Sequence, residues 1–336
     1  MTADWLLVLE WVLKSVILLA ILLTGFAYTT FYERKLAAAI QVRVGPNRVG
    51  PGGWLQPAAD GIKLIFKEEL IPSSAYRAVF ILAPILTVVP ALVIMAVVPW
   101  GGIIDFFGRA VPLYIADLNV AILYILSVAS VSVYGIVLAG WSSNNKYAML
   151  GGLRSSAQML SYEIALGLAF VGPMLIAGSM SLSEIVDAQR TIWFIVYQPL
   201  GAFIFYIAML AEVNRAPFDM PEAEQELTAG YHTEYSGMKF ALFFMGEYIK
   251  MIAVSAIFAS LFLGGYRGPF VDQWPLLGPF YLLAKILASL GIMIWIRATL
   301  PRLRYDRLMS FGWKVLLPLS LLNVFLTAVV IVALEL

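Results

Sequence analysis

The residues able to carry proton chemistry in this 336-residue chain are few and unevenly spread. The stretch 211–227, AEVNRAPFDMPEAEQEL, sets Glu212, Asp219, Glu222, Glu224 and Glu226 against the single cation Arg215. Pro217 and Pro221 interrupt any helix there, so residues 216–221 are expected to form a turn. On a helix Glu222 and Glu226 align at i, i+4, and on a strand Glu222, Glu224 and Glu226 share a face. Either way like charges crowd. Two of them about 4 Å apart repel by about 4 kcal/mol at an effective dielectric near 20, against about 1 kcal/mol in water. In a partly buried site such carboxylates titrate as a coupled set, some of them keeping protons near neutral pH. The alternatives are a solvated acidic loop or a docking surface for a basic partner.

Other ionisable groups fall within long apolar runs: Glu10, Lys14, Asp117, Glu163, Glu247, Lys250 and Lys285. Each costs about 2.5–3.5 kcal/mol to insert into a bilayer and faces protein or water rather than lipid. Glu10 and Lys14, at i, i+4 near a helix end, read as a local snorkelling pair. Glu163, Glu247, Lys250 and Lys285 lie deeper and read as a buried polar pathway of the kind from which proton relays are built. The lone histidine, His232, follows Tyr231 and reads as a packed residue.

The elements that must position these groups are membrane helices. The chain is 61% hydrophobic and 13% charged, with a mean hydropathy of +0.87. Soluble domains run near 45–50% and about 25%. A net charge of +1 gives no footprint for nucleic acid. With no cysteine and one histidine, the chain has no ligand set for an iron–sulfur cluster, a haem or a multi-histidine metal centre. The apolar run from Trp5 to Phe31 is too long for a cleaved signal and is expected to be a retained span.

A helix crosses the hydrocarbon with about 20 apolar residues. Eight spans are expected, at 5–31, 78–99, 113–140, 157–178, 191–211, 238–263, 275–297 and 312–334, with kinks at Pro84, Pro90 and Pro318. The whole chain, 1–336, is then a single all-α, polytopic membrane domain. The alternate connections beginning at 32, 141, 212 and 298 hold 14 Lys and Arg, counting Arg297 at the edge, and the opposite segments hold 3. The positive-inside rule puts the basic connections in the cytoplasm and both termini in the periplasm. In the first connection, Gly45-Pro46, Gly50-Pro51 and Gly52-Gly53 dictate turns, and Pro57 then suits the first turn of a helix. Leu55, Ala58, Ile62, Ile65 and Phe66 fall near one face of that helix, with Asp60, Lys63 and Lys67 on another. This is the pattern of an amphipathic helix lying in the interface. The last connection carries Arg297, Arg302, Arg304, Arg307 and Lys314, which orient the chain and offer a docking surface for a peripheral subunit.

The segments ERKLAAAIQVRVGPNRVGPGGWLQPAADGIKLIFKEE, GLRSSAQMLSYE, AEVNRAPFDMPEAEQELTAGYHTEYSGMKFALFFMGEY and IRATLPRLRYDRLMSFGWK together resemble the quinone-site membrane subunit of respiratory complex I. The family has bacterial and mitochondrial members. The likeness extends from the first span to the eighth. It implies a subunit of a proton-translocating NADH:quinone oxidoreductase, with quinone as substrate and no cofactor bound by this chain alone. FMN and the iron–sulfur clusters would sit in partner subunits. The partners implied are peripheral-arm subunits carrying the terminal cluster and the headgroup site, small and antiporter-like membrane subunits, and membrane lipid, in a bacterial inner membrane. By the same resemblance Arg43, Asp60, Lys63 and Phe218 match the quinone chamber and its approach. Glu163, Glu212, Asp219, Glu222, Glu224, Glu226 and Glu247 match its proton-coupling carboxylates; the residues' own placement adds Lys250 and Lys285 to the proton-coupling groups and Arg215 as the charge that balances them. Three other readings stay open. One is a relative driven by ferredoxin, a coenzyme or a hydrogenase, another a stand-alone proton or cation carrier, and the third an anchor for a peripheral complex.

Overall fold

The computed structural model describes residues 2–106, 109–220 and 229–334. Helix α1, Thr2–Ile40, is followed by the glycine- and proline-rich turns of the first connection and by α2, Gln56–Phe66, with Pro57 in its first turn. Helix α3 is Arg77–Ile94. A short antiparallel hairpin, β1 Ile103–Phe106 and β2 Arg109–Pro112, precedes α4, Ala121–Ser142. Then come α5 Lys146–Ala177, α6 Leu182–Ala188, α7 Phe194–Tyr197 and α8 Pro199–Glu212. Helix α9, Gly237–Phe262, leads to α10, Gly278–Thr299. The last helical stretch joins α11, Tyr305–Phe311, through a π-turn at Gly312–Leu316 to α12, Leu317–Leu334.

Among the described residues seven helical stretches are long and apolar enough to cross a membrane. The expected span at 191–211 departs from this. It is broken into α7 and α8 at Gln198, whose φ of −130° and ψ of 59° leave the helical region. Pro199 explains the break, because its ring disfavours helical backbone in the residue before it and it has no N–H to return. The 14 residues of α8 rise only about 21 Å, against a hydrocarbon core of about 30 Å. The freed Gln198 side chain is buried and donates to Thr327 Oγ1 at 2.8 Å. Other limits moved too. Helix α1 runs on to Ile40, and α5 begins at Lys146 rather than 157. The start of α5 is fixed by Asn145, whose side-chain oxygen accepts the Tyr147 N–H at 2.9 Å as an N-cap.

Helices α3, α4, α5 and α9 pack around a common core. Two glycines set how closely they approach. A Cβ on Gly135 of α4 would stand 2.3 Å from Thr87 Oγ1 on α3. One on Gly151 of α5 would stand 2.8 Å from the backbone of Gly230. Helix α9 is the most enclosed, buried along nearly all of Tyr248–Phe262. Near its C-terminal end the rings of Phe258 and Phe262 lie 5.9 and 5.6 Å from Phe205 of α8. Helix α1, by contrast, leans on α9 and α10 and leaves most of its apolar surface open.

Candidate functional site

The turn after α8 is built to bring charge into the bundle. Gln158 of α5 donates to the carbonyls of Ala211, 2.9 Å, and Phe218, 2.7 Å, and to Asn214 Oδ1, 3.1 Å. The Phe218 ring lies 5.4 Å from that of Tyr162, and the Leu303 N–H donates to the Pro217 carbonyl at 3.1 Å. Held in this way, Glu212, Arg215 and Asp219 are all buried.

Arg215 sits between two carboxylates. Its Nε lies 2.5 Å from Glu247 Oε1 of α9 and its Nη1 3.3 Å from Glu33 Oε1 of α1. Glu33 also accepts from the Tyr248 hydroxyl at 2.7 Å and pairs with Arg297 of α10. The guanidinium stands over the Tyr248 ring at 4.5 Å. Burial would depress the pKa of Arg215, but Glu247 and Glu33 together raise it above its ordinary value. It is a fixed cation. Asp219 is clamped separately by Arg302 at 2.8 Å. Two of the cations expected to face a peripheral partner, Arg297 and Arg302, thus turn back onto this chain's own carboxylates.

A second pair lies deeper. Lys250 Nζ of α9 is 2.6 Å from Glu212 Oε1 and donates to Ser132 Oγ of α4 at 3.2 Å. Glu163 of α5 accepts from Ser130 and is within electrostatic reach of Glu212. A cavity of about 30 Å³ links the two systems: Glu212, Lys250 and Ser132 line it with Glu247, Asn214 and His232. That volume exceeds the roughly 10–15 Å³ one water needs. Polar walls suit such a water.

Beside this web, α1, α2 and α9 enclose a groove of about 310 Å³ lined by Phe26, Thr30, Arg34, Asp60, Lys63 and Phe244, among others. Asp60 accepts from Arg34 at 2.7 Å and Gln56 at 3.2 Å, and Lys63 stands 3.5 Å away. Burial works to raise the Asp60 carboxyl, but Arg34 foremost among these partners holds it below its ordinary value. Ile62 and Phe66 of α2 lie outside the groove lining and are exposed, as an interfacial helix requires.

Of the residues singled out from sequence, Glu163, Glu212, Glu247, Lys250 and Arg215 are brought together. Asp60 and Lys63 share the groove. Arg43 is exposed on the loop after α1, outside the groove lining, and its N–H donates to the Ala38 carbonyl at 2.9 Å. Phe218 is packed in the bundle rather than on the groove. Lys285 of α10 stands apart from the carboxylates. It donates to the carbonyls of Leu263, Gly265 and Arg267 at 2.6, 2.7 and 2.6 Å, and lies 4.8 Å from the Trp193 ring centroid. Glu222, Glu224 and Glu226 lie outside the described residues. Two central residues escaped the sequence reading. They are Glu33, just past the first apolar run, and Gln158, near the start of the fourth. A polar group at the edge of an apolar run was the only signal either gave.

Long apolar helices packed around a charged web, with a groove beside it, define a polytopic membrane protein. The family model described as NADH dehydrogenase matches residues 13–328, and the chain belongs to that family. It is 50% identical to the H subunit of the NADH-quinone oxidoreductase of Thermomicrobium roseum over 97% of each chain. It is 52% identical to an H subunit of the same enzyme in Geobacter metallireducens over 94% of each. The corresponding protein of Protochlamydia amoebophila is also 52% identical, over 91% of this chain and 92% of that one.

Proposed function

We propose that this chain is the membrane subunit of a proton-pumping NADH:quinone oxidoreductase of a bacterial inner membrane. In this reading it forms the quinone chamber with peripheral-arm subunits that hold FMN and iron–sulfur clusters. It passes the response to quinone reduction toward small and antiporter-like membrane subunits. The names of the relatives favour NADH over ferredoxin, a coenzyme or a hydrogenase as the electron source. The groove between α1, α2 and α9 is the approach for quinone, with Asp60, Lys63 and Arg34 at its mouth and Arg43 and Phe218 toward the chamber.

The observation that carries the coupling step is the shared cavity. Adding two electrons and two protons to a quinone creates transient negative charge, and the nearest buried cation–carboxylate web responds to it. Glu33, Arg215 and Glu247 stand on the groove side. Across the cavity, Glu212, Lys250 and Glu163 stand on the bundle side. A proton arriving at Glu247 or Glu212 releases Arg215 or Lys250 from its partner, and the freed cation repels the next proton onward. The proton-reservoir role falls to Asp219 and, from the sequence, to Glu222, Glu224 and Glu226.

The test uses the assembled complex in proteoliposomes. Glu212→Gln and Glu247→Gln are expected to keep quinone binding and to lose proton translocation together with coupled turnover. A variant of either kind that reduced quinone and pumped protons at the wild-type rate would end this reading. The isolated chain in liposomes is expected to conduct no ions, which separates it from a carrier.

A further inference from the structure

A second groove runs along the opposite flank of α1. It is about 440 Å³ in volume and opens between α1, α9 and α10, with apolar walls that include Leu22, Ile252, Ile286 and Leu290. Its lining on α1 extends from Ile21 to Lys35, a rise of about 21 Å. That length matches one leaflet, since half of a bilayer about 40–45 Å thick with its headgroups is about 20–22 Å. Trp54, from the first connection, stands at the Lys35 end with its ring 5.8 Å from those of both Tyr28 and Phe31. An aromatic cluster at one end of an apolar slot is the arrangement found at headgroup level.

Lys35 marks what belongs in the slot. Of the triplet Glu33-Arg34-Lys35, the first is committed to Arg215 and Arg297 and the second to Asp60. Lys35 has no carboxylate partner among the described residues. Its stem packs under the first connection, where a Cβ on Gly45 would stand 3.2 Å from Lys35 Cδ, and its ammonium lies 5.5 Å from the Phe31 ring centroid. A fixed cation at the aromatic end of a leaflet-long apolar slot complements an anionic headgroup attached to an acyl chain. Basic pockets between spans bind such lipids.

We propose that this groove is a binding site for one anionic phospholipid of the leaflet at the Lys35 end. The acyl chain lies along Leu22, Ile286 and Leu290, and the headgroup sits on Lys35 beside Trp54. The site is separate from the groove assigned to quinone, and the proposal does not depend on that assignment.

The experiment uses the intact complex in nanodiscs with photoreactive phosphatidylglycerol or phosphatidylcholine of identical chains. Crosslinked peptides are mapped by mass spectrometry. Phosphatidylglycerol is expected to label α1 and α10 at this groove about fivefold more than phosphatidylcholine, the factor that about 1 kcal/mol per basic residue gives. Lys35→Gln is expected to erase that preference and Lys35→Arg to keep it. Equal labelling by the two lipids on the wild-type complex overturns the proposal even if neither variant assembles. So does labelling of the groove by a photoreactive isoprenoid quinone that phosphatidylglycerol does not compete away.

Discussion

Lys250 on α9 and Lys285 on α10 are both lysines within membrane helices, and they are held in opposite ways. Lys250 faces a buried carboxylate, Glu212, and a serine hydroxyl. Lys285 faces three carbonyls that follow the end of α9 and an indole ring. A carboxylate accepts a proton, so the attraction that holds Lys250 is conditional on the protonation state of its partner. A carbonyl does not titrate, so the groups that hold Lys285 do not change with the local proton supply. It stands just beyond the C-terminal end of a helix whose dipole favours a cation there. The same side chain is therefore a switchable element in one place and a fixed brace in the other.

Several experiments strain this contrast, and the largest effect is expected at Lys250. Lys250→Met leaves Glu212 as an unpaired buried charge, a loss of about 3–5 kcal/mol. Both assembly on native gels and proton translocation should suffer. The double variant Lys250→Met with Glu212→Leu should regain assembly without regaining translocation. Recovery of pumping in the double variant would remove the pair from the coupling route.

Lys285→Met is expected to cost about 1.5–3 kcal/mol, the worth of a charged group's hydrogen bonds. It should lower the thermal midpoint of the complex and leave the protons pumped per electron unchanged. A changed stoichiometry would return Lys285 to the proton path.

His232 adds a third kind of holding. It is buried against Tyr231, Phe240, Phe243 and Phe244, and its cavity neighbours include Glu212, Glu247 and Lys250. Burial pushes its imidazole down to about 3. The unfolded chain takes up this proton below about pH 6.5 and the folded chain does not. The contribution is thus whole above about pH 6.5 and shrinks as pH falls, by about 2 kcal/mol at pH 5. His232→Asn should lose that part of the acid sensitivity, measured as the difference in thermal midpoint between pH 7 and pH 5.

The smallest effect belongs to Asp60. Its pair with Arg34 is partly exposed, and such pairs contribute about 0.2–1 kcal/mol. Because its carboxyl is held below the ordinary range, that contribution is present above about pH 4 and lost only in stronger acid. Asp60→Asn is expected to raise the apparent KM for quinone modestly, by the same factor throughout pH 6–8.

What the sequence made legible follows from local physics. Long apolar runs gave the spans, Pro57 gave the start of α2, and the isolated charges Glu247, Lys250 and Glu163 announced a polar interior. The remainder depended on distant partners. Glu33 meets Arg215 and Arg297 from far along the chain, and nothing near it in sequence hints at either. The Lys285 side chain gave no sign in the sequence of the carbonyls after α9 to which it donates. In the fifth expected span, apolar composition hid the break at Gln198 and Pro199 between two helices. The hairpin at 103–112 is too short to carry a pattern.

The triplet near the C-terminal end of α1 has a mechanical consequence. Neighbouring residues on a helix point about 100° apart, so Glu33, Arg34 and Lys35 fan out toward the charged web, the groove beside α2 and the opposite slot. Turning this helix end in either direction strains the Glu33 and Arg34 ion pairs together. The end of α1 is a keyed shaft, and any event that rotates it reports to both of its flanks at once.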